Sequence, residues 1–578
     1  MARCGPVKRC ESRALQHVIP APLPRIEAPA TFHPLYPISP SRIDCAILSQ
    51  PAYLRHLHDR INRLASSTHV AHDINRSSAI LAILAASHSC FCVAFCMASQ
   101  VLSALSNAAT PLQFSTLNQH LAQLSELVGV PVDQLRCVAC LLGVYPLAFV
   151  VRKLPSTTAK HWLHICVGVS IAQFVYGAGW LHSLLSALLT YALVRVLPPT
   201  RAPLVVFLAN MAYVAALHVH RMRVNYMGWS MDATASQMLL LIKLTSFAFN
   251  FHDGVVPSAT AVQSGDSEHM KKVKQSRKLL AVPEIPSLLE FLGFVYCFTT
   301  FLAGPAFEFK EYSDAIHRTR FVDRNGVRRN VSPARAALSK LVLGLGLMGL
   351  LVRFGALADL KEILSDDDQS MLAKWGRLLV ALFLTRAKYY VAWKLAEGAT
   401  VLTGTGFEGF DEQNNPRGWD GVSNVDILGF ELGANVREIS RAWNKGTQNW
   451  LERYVYTRTG NSLLATYSVS ALWHGFYPGY YLFFLTVPLA TAVNRLARRH
   501  VRPYVVGSPT KPLYDFVGML CTAMVVNYLA VSFVVLSWED AVAGFRSMRF
   551  AGHVGLVVCY LLLTFVPVKK TANAKKTV

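Results

Sequence analysis

The chain has 578 residues, of which 53% are apolar and 16% charged, with a formal net charge of +22. Soluble domains carry roughly 25% charged residues and long soluble chains split at polar linkers, so the apolar stretches that recur from residue 79 to 568 exclude an ordinary soluble protein. The excess of Lys and Arg comes without an aromatic-basic nucleic-acid module; in a membrane protein such residues collect in cytosolic loops beside anionic lipid, so no nucleic-acid partner is expected.

Residues 1–75 contain Pro, Arg and His without sustained periodicity and read as a disordered basic tail. No apolar core follows the first basic residues, so they do not read as a signal peptide. Residues 76–118 form an extension holding one apolar segment, 79–105, whose place as a native span is open. Further apolar segments follow at 132–151, 161–177, 181–197, 203–217, 237–249, 288–303, 338–356, 376–396, 463–489, 516–536 and 554–566. A bilayer crossing takes about 20 apolar residues, fewer where protein buries the helix, so the pattern predicts about 11–12 spans. The expected fold is an all-α, multi-pass transmembrane bundle with re-entrant or interfacial helices enclosing a reaction chamber.

Cys137-x-x-Cys140 has the spacing of a metal or redox pair, but no second Cys or His pair accompanies it. The two read as small apolar residues on a membrane helix, and neither a disulfide framework nor a metal is expected. His252 and Asp253 end an apolar segment, and Asp253 with Gly254 reads as a turn cap. Three polar stretches interrupt the apolar pattern. Residues 254–285 and 310–336 are basic; residues 403–460 form the longest gap, with too many aromatics for a disordered loop.

Within that gap, Val436, Ile439, Trp443, Trp450 and Tyr454 repeat at spacings of three, four and seven, which predicts one amphipathic helix with an aromatic stripe over 435–458. Asn444 lies at the border of the stripe, and an amide there can position a substrate atom without the cost of a buried charge. Segment 462–489 is long enough to span, with His474 in its middle. An ionisable residue at that depth faces protein or a polar cavity and is a functional candidate by default. On a continuous helix Tyr467, Ser470, Ala471, His474 and Pro478 share its face. The alternative is a buried histidine bonded to a carbonyl. The chain closes on a basic tail, 567–578, ending Lys575-Lys576-Thr577-Val578. This placement of two lysines resembles a di-lysine retrieval signal, which implies an endoplasmic reticulum membrane protein with a cytosolic C-terminus.

Taken together, Trp443-Asn444-x-x-Thr447-x-x-Trp450-Leu451 and Trp473-His474-Gly475-x-x-Pro478-Gly479-Tyr480-Tyr481 resemble the Asn/His signature of membrane-bound O-acyltransferases. Four more stretches agree in order with the lysophospholipid acyltransferase branch: Asn250-Phe251-His252-Asp253-Gly254; Ala303-Gly304-Pro305-Ala306-Phe307-Glu308-Phe309-x-x-Tyr312; Lys388-Tyr389-Tyr390-x-x-Trp393-x-x-x-Glu397-Gly398-Ala399; and Trp419-Asp420-Gly421-x-x-Asn424-Val425. The resemblance covers residues 119–566, an acyltransferase domain, and not residues 1–118. It implies transfer of a fatty acyl group from acyl-CoA, a co-substrate rather than a bound cofactor, to the free hydroxyl of a lysophospholipid. It makes His474 the general base and gives Asn444 either the oxyanion or the acceptor to hold. Tyr389, Tyr390, Trp393, Trp443, Thr447, Trp450, Ser470 and Trp473 are candidates to line the substrate cavities, against a plain packing or interfacial role for each. A homodimer is a further expectation from related enzymes. The competing readings are another acceptor within the family (a sterol, a diacylglycerol or a protein) and a transporter. The transporter reading needs a ladder of polar residues, which Lys243, Arg353, Arg386, Lys388, Lys394 and His474 do not form.

Overall fold

The computed structural model describes residues 114–228, 231–366 and 368–567. The expectations for the tail 1–75, the apolar segment 79–105 and the last residues 568–578 lie outside the described residues. Among those described, the secondary structure is helical, interrupted by two isolated β-bridges, Val322–Arg328 and Phe410–Pro416. The principal helices are α1 (Val132–Lys153), α2 (Thr157–Tyr176), α3 (Leu181–Val196), α4 (Ala202–Val224), α5 (Ala233–Val255), α6 (Leu288–Val295), α7 (Phe309–His317), α8 (Ala334–Phe354) and α9 (Met371–Thr403). They continue with α10 (Val436–Ala442), α11 (Lys445–Trp450), α12 (Leu463–His474), α13 (Pro478–His500), α14 (Lys511–Val535), α15 (Trp538–Ser547) and α16 (Ala551–Phe565). Several start where a polar side chain accepts an otherwise unpaired backbone N–H: Ser156 before α2, Asp232 before α5, Ser370 before α9 and Ser462 before α12.

Five stretches among the described residues are long and apolar enough to cross a bilayer alone: Val132–Lys153, Thr157–Val196, Ala202–Val224, Ala334–Ser365 and Lys511–Val535. The pair α15 and α16, bent by 71°, makes a sixth if counted as one. The expected multi-pass helical bundle is therefore present, but several of the predicted spans are not lone apolar rods. Helix α9 carries Lys374, Arg377, Arg386, Lys388, Lys394 and Glu397. Segment 288–303, expected as one span, is helical only to Val295 and then runs as buried turns. Lys243 Nζ donates to the carbonyl of Phe294 at the end of α6. Irregular backbone is tolerated at such depth only where protein surrounds it, and Tyr296, Cys297, Phe298, Thr299 and Thr300 are all buried.

Helix α9 organises the core. Leu378, Ala381 and Leu382 pack into one apolar cluster with α14 and α15; Ala387, Tyr390 and Trp393 form a second with Val425; Val391, Leu395, Ala396, Ala399 and Val401 enter a third with α1, α5 and α6. The outer faces of α8 and α16 are apolar and uncovered, with Leu338, Val342, Val352, Val554, Leu562 and Phe565 exposed. Contiguous apolar surface of this kind marks the lipid-facing side of a bundle. Cys137 and Cys140 are free thiols within the buried apolar cluster of α1.

Candidate active site

Two of the sequence expectations for the site are corrected by how the helices end. The single amphipathic helix over 435–458 is broken: α10 stops at Ala442, α11 starts at Lys445, and a wide turn follows at Leu451–Val455. Asn444 sits at the break in the left-handed region (φ 43°, ψ 55°), which asparagine tolerates better than most residues because its short amide bonds locally. The single span over 462–489 is also broken. Helix α12 ends at His474 because Gly475 adopts φ 114°, and α13 begins with Pro478 at its first position. His474 therefore stands at a helix end, and Pro478 is not on its helical face.

The break at Asn444 is held from behind by residues 424–426. Lys445 N–H donates to Asn424 O (2.8 Å), Asp426 N–H to Ala442 O (2.9 Å) and Gly446 N–H to Asn424 Oδ1 (3.0 Å). The last of these bonds fixes which way the Asn424 amide points. Its Nδ2 must then be the donor to Asn444 Oδ1 (3.3 Å), which also accepts from Thr447 Oγ1 (3.0 Å). The oxygen of Asn444 is thus occupied, and its Nδ2 has no acceptor among the described residues. Behind Asn424 lies an ionic cluster. Its backbone N–H donates to Glu397 Oε1 (2.7 Å), and the Glu397 carboxylate, fully buried, pairs with Lys394 (2.8 Å) and Lys340 (3.4 Å).

The aromatic candidates divide. Trp443 packs edge-on against Trp393 (4.9 Å between ring centroids), Tyr390 (5.8 Å) and Tyr389 (5.9 Å). Tyr390 is fixed in turn by its hydroxyl to Glu431 (2.7 Å), which Arg386 holds through two bonds of 2.9 and 2.7 Å. Trp450, by contrast, is buried, stacks on Phe207 and donates to Thr245 Oγ1 (2.9 Å), so it packs the core rather than lining an open cavity. Ser470 and Thr447 are buried, and Trp473 donates to Met238 O (2.9 Å).

The His474 ring is surrounded by aromatic rings: Trp473 (4.7 Å), Phe533 (5.0 Å), Phe484 (5.3 Å) and Tyr480 (5.5 Å). It stays partly accessible, and its nitrogens have no hydrogen-bond partner among the described residues, so the carbonyl-bonded alternative does not hold. His218 on α4 supports the turn beneath it. The Trp473 carbonyl can only accept, so His218 Nε2 is the donor to it (3.1 Å). A Cβ at Gly475 would stand 2.9 Å from His218 Nδ1, and one at Gly479 only 2.0 Å from Ser532 O. Glycine at these two places lets α4 and α14 close on the histidine turn.

Both halves of the site are anchored on α5, Trp450 at Thr245 and Trp473 at Met238, two helical turns or about 10 Å apart along the axis. Trp450 and Trp473 belong to one buried apolar cluster. A second polar network braces the same region. Asn250 bonds Glu308 and Tyr454 (both 2.8 Å), Glu308 accepts from Arg453 (3.0 Å), and Asp253, expected to cap a turn, instead pairs with Arg458 (2.5 Å) and His252 (2.9 Å). Asn250, Glu397 and Asn424 stand in the stretches that resemble the branch, but their supporting roles are not readable there; His218 lies outside those stretches, and its one signal is a polar residue at the end of an apolar run.

Comparison with known proteins gives the family of the chain. Residues 202–535 match the model of the MBOAT, membrane-bound O-acyltransferase, family. The chain is 32% identical over 459 residues to the "Lysophospholipid acyltransferase" of Schizosaccharomyces pombe, covering 75% of this chain and 87% of that protein. It is 31% identical over 493 residues to the human "Membrane-bound glycerophospholipid O-acyltransferase 2", covering 81% of this chain and 91% of the relative. Against the "Lysophospholipid acyltransferase" of Saccharomyces cerevisiae the identity is 30% over 470 residues, 75% and 74% of the two chains. With its helical bundle, its break-positioned Asn and His, and these relatives, the chain belongs to the membrane-bound O-acyltransferase family and is a multi-pass membrane protein.

Proposed function

We propose that the chain moves a fatty acyl group from acyl-CoA to the free hydroxyl of a lysophospholipid, with His474 as general base and Asn444 as the donor to the oxyanion. The observation that carries this reading is the orientation of the Asn444 amide, whose oxygen is engaged by Asn424 and Thr447 while Nδ2 has no partner among the described residues. A free N–H pair suits the negative oxygen of a tetrahedral intermediate, and this favours the oxyanion over orientation of the acceptor. The acceptor comes from the relatives, several of which are named for lysophospholipids.

The acceptor hydroxyl has a pKa far above neutrality, so its proton must leave as its oxygen attacks the thioester carbon. An imidazole nitrogen of His474 takes that proton. The carbonyl π electrons move to oxygen, where Asn444 Nδ2 donates to the developing charge. The intermediate then collapses, the carbonyl re-forms as the C–S bond breaks, and the departing thiolate of CoA takes the proton from the His474 imidazolium, which restores the base. No covalent enzyme intermediate is required.

The test uses purified full-length protein, acyl-CoA and a panel of lysolipids, with a sterol and a diacylglycerol as competing acceptors and release of free CoA thiol as readout. Lysolipid-dependent release is expected, and Asn444→Ala should lower it by ~10²–10³ while acyl-CoA still binds. Release with the sterol or diacylglycerol alone would reassign the acceptor, and full activity of Asn444→Ala would remove that residue from the site. The same reading puts the protein in the endoplasmic reticulum membrane with its C-terminus in the cytosol, on the strength of Lys575 and Lys576. Replacing both lysines with Ser should shift a tagged chain to later compartments on imaging; unchanged residence would discard the retrieval signal.

A further inference from the structure

Away from Asn444 and His474, a group of cations gathers where α1 and α2 meet the segment after α7, and no carboxylate among the described residues neutralises it. Arg152, in the last turn of α1, Lys160, in the first turn of α2, and Arg318, the left-handed residue (φ 59°) that ends α7, line one narrow cavity with His164, Tyr312 and Thr405. Arg152 and Arg318 both stand at the Phe321 ring, 5.9 and 5.2 Å from its centroid, and the charges of Arg318 and Arg328 both oppose that of Lys160. The nearby acids are engaged elsewhere. Asp314 pairs with Lys310 (2.5 Å) and Arg320 (3.2 Å), Glu311 faces Arg320 (4.0 Å), and Asp323 holds Arg329 (2.7 Å).

Among the described residues, the cations of the cavity bond only to neutral groups. Arg152 Nη2 donates to Val331 O (2.7 Å) and Asn330 Oδ1 (3.2 Å), and Lys160 Nζ to Ile316 O (2.8 Å). Two buried donor-capable atoms are left over: Arg152 Nη1, and Nδ1 of His164, a residue only 2% exposed. Like charges held together out of bulk water cost free energy unless an anion joins them. Guanidinium forks and an ammonium with spare hydrogens suit tetrahedral phosphoryl oxygens better than a single carboxylate. The position agrees: α1 and the stretch that starts with α2 are both candidate spans, so their short junction falls where hydrocarbon gives way to headgroups.

We propose that this cavity is a phosphate-binding site at the membrane surface, filled by an anionic phospholipid headgroup or by a phosphate of coenzyme A. The site stands on its own geometry; only the coenzyme A arm rests on the acyl-transfer reading. The full chain, purified in detergent, is titrated with phosphatidic acid under native mass spectrometry and, in parallel, with coenzyme A by calorimetry. Arg318→Gln, and Arg152→Gln with Arg318→Gln, should weaken one of these ligands at least about tenfold, the loss expected for one or two charge-assisted contacts. Loss confined to phosphatidic acid assigns a lipid headgroup, and loss confined to coenzyme A assigns the donor. Equal binding of both ligands by wild type and variants overturns the site. Melting temperatures accompany each variant, and Arg318→Gln alone, at a partly exposed residue, keeps the test decisive if the double variant unfolds. Because binding is read without turnover, failure here is separate from failure of the acyl-transfer reading.

Discussion

Replacing His474 with Ala should cut acyl-CoA thiol release by ~10²–10⁴, the range that a positioned general base contributes. The argument rests on what the ring touches. Its contacts are aromatic faces and edges from Trp473, Tyr480, Phe484 and Phe533, and its nitrogens are not consumed by any protein hydrogen bond among the described residues. A structural histidine at a helix end would be expected to bond a carbonyl or a side chain, as His218 does with Trp473 O (3.1 Å). His474 is oriented by packing and left free to accept a proton.

The same packing supplies the control. Removing the ring opens space between Phe484 and Phe533, and a loss of rate could follow from collapse of that space. His474→Gln keeps a polar side chain of similar reach but cannot serve as a base near neutral pH. Both variants should lose kcat, with little change in the affinity for acyl-CoA and with melting temperatures near that of wild type for His474→Gln. Thiol release by either variant at the wild-type rate would remove the base from His474.

The membrane-bundle class is legible in the sequence because it rests on a local contrast, apolar runs of spanning length; a similar contrast, a histidine and an asparagine set among aromatics, is what nominates the proposed base and oxyanion donor. The helix ends are less legible. Periodicity carries the pattern of Val436, Ile439, Trp443 and Trp450 across a break, since a stripe at spacings of three, four and seven looks the same whether or not one residue between turns left-handed. The break arises from partners that are far away in sequence, with Asn424 holding both Lys445 N–H and Gly446 N–H. At His474 the signal is present but ambiguous. Gly475 and Pro478 are helix-ending residues, yet an apolar run of this length reads as one span until the positive φ of Gly475 is seen.

Segment 288–303 fails for a related reason. Apolar content measures burial, and protein buries this stretch as well as lipid would, so the irregular backbone after Val295 leaves no trace in hydropathy. The paired charges are hidden in the same way. Lys394 and Glu397 stand three apart on one helix, a local pair that spacing allows, but Lys243 looks like an isolated polar residue, and only tertiary structure brings the Phe294 carbonyl to it and Lys340 and Asn424 to Glu397.

The largest effect on stability is expected from Glu397→Ala. Glu397 has no exposed surface, and its carboxylate neutralises Lys394 (2.8 Å) and Lys340 (3.4 Å), which are themselves 8% and 11% exposed. Burying an ion pair gains little over an apolar core, but removing one member strands the other charge, which costs about 3–5 kcal/mol. Lys340 retains Asp420 (2.9 Å), itself 73% exposed, while Lys394 keeps only the Val425 carbonyl (2.8 Å). The change also removes the acceptor for Asn424 N–H, and Asn424 orients the Asn444 amide. Glu397→Ala should therefore lower both the melting temperature and turnover. Glu397→Gln separates the causes: it can still accept from Asn424 N–H, so it should lose stability through the stranded charge while keeping more of the rate. Adding Lys394→Met to Glu397→Ala removes the stranded ammonium and should recover part of the stability, the non-additivity expected of groups in contact. A Glu397→Ala protein that melts with wild type, or a double variant that is the simple sum of its single changes, would show that this carboxylate does not hold the cluster behind Asn444.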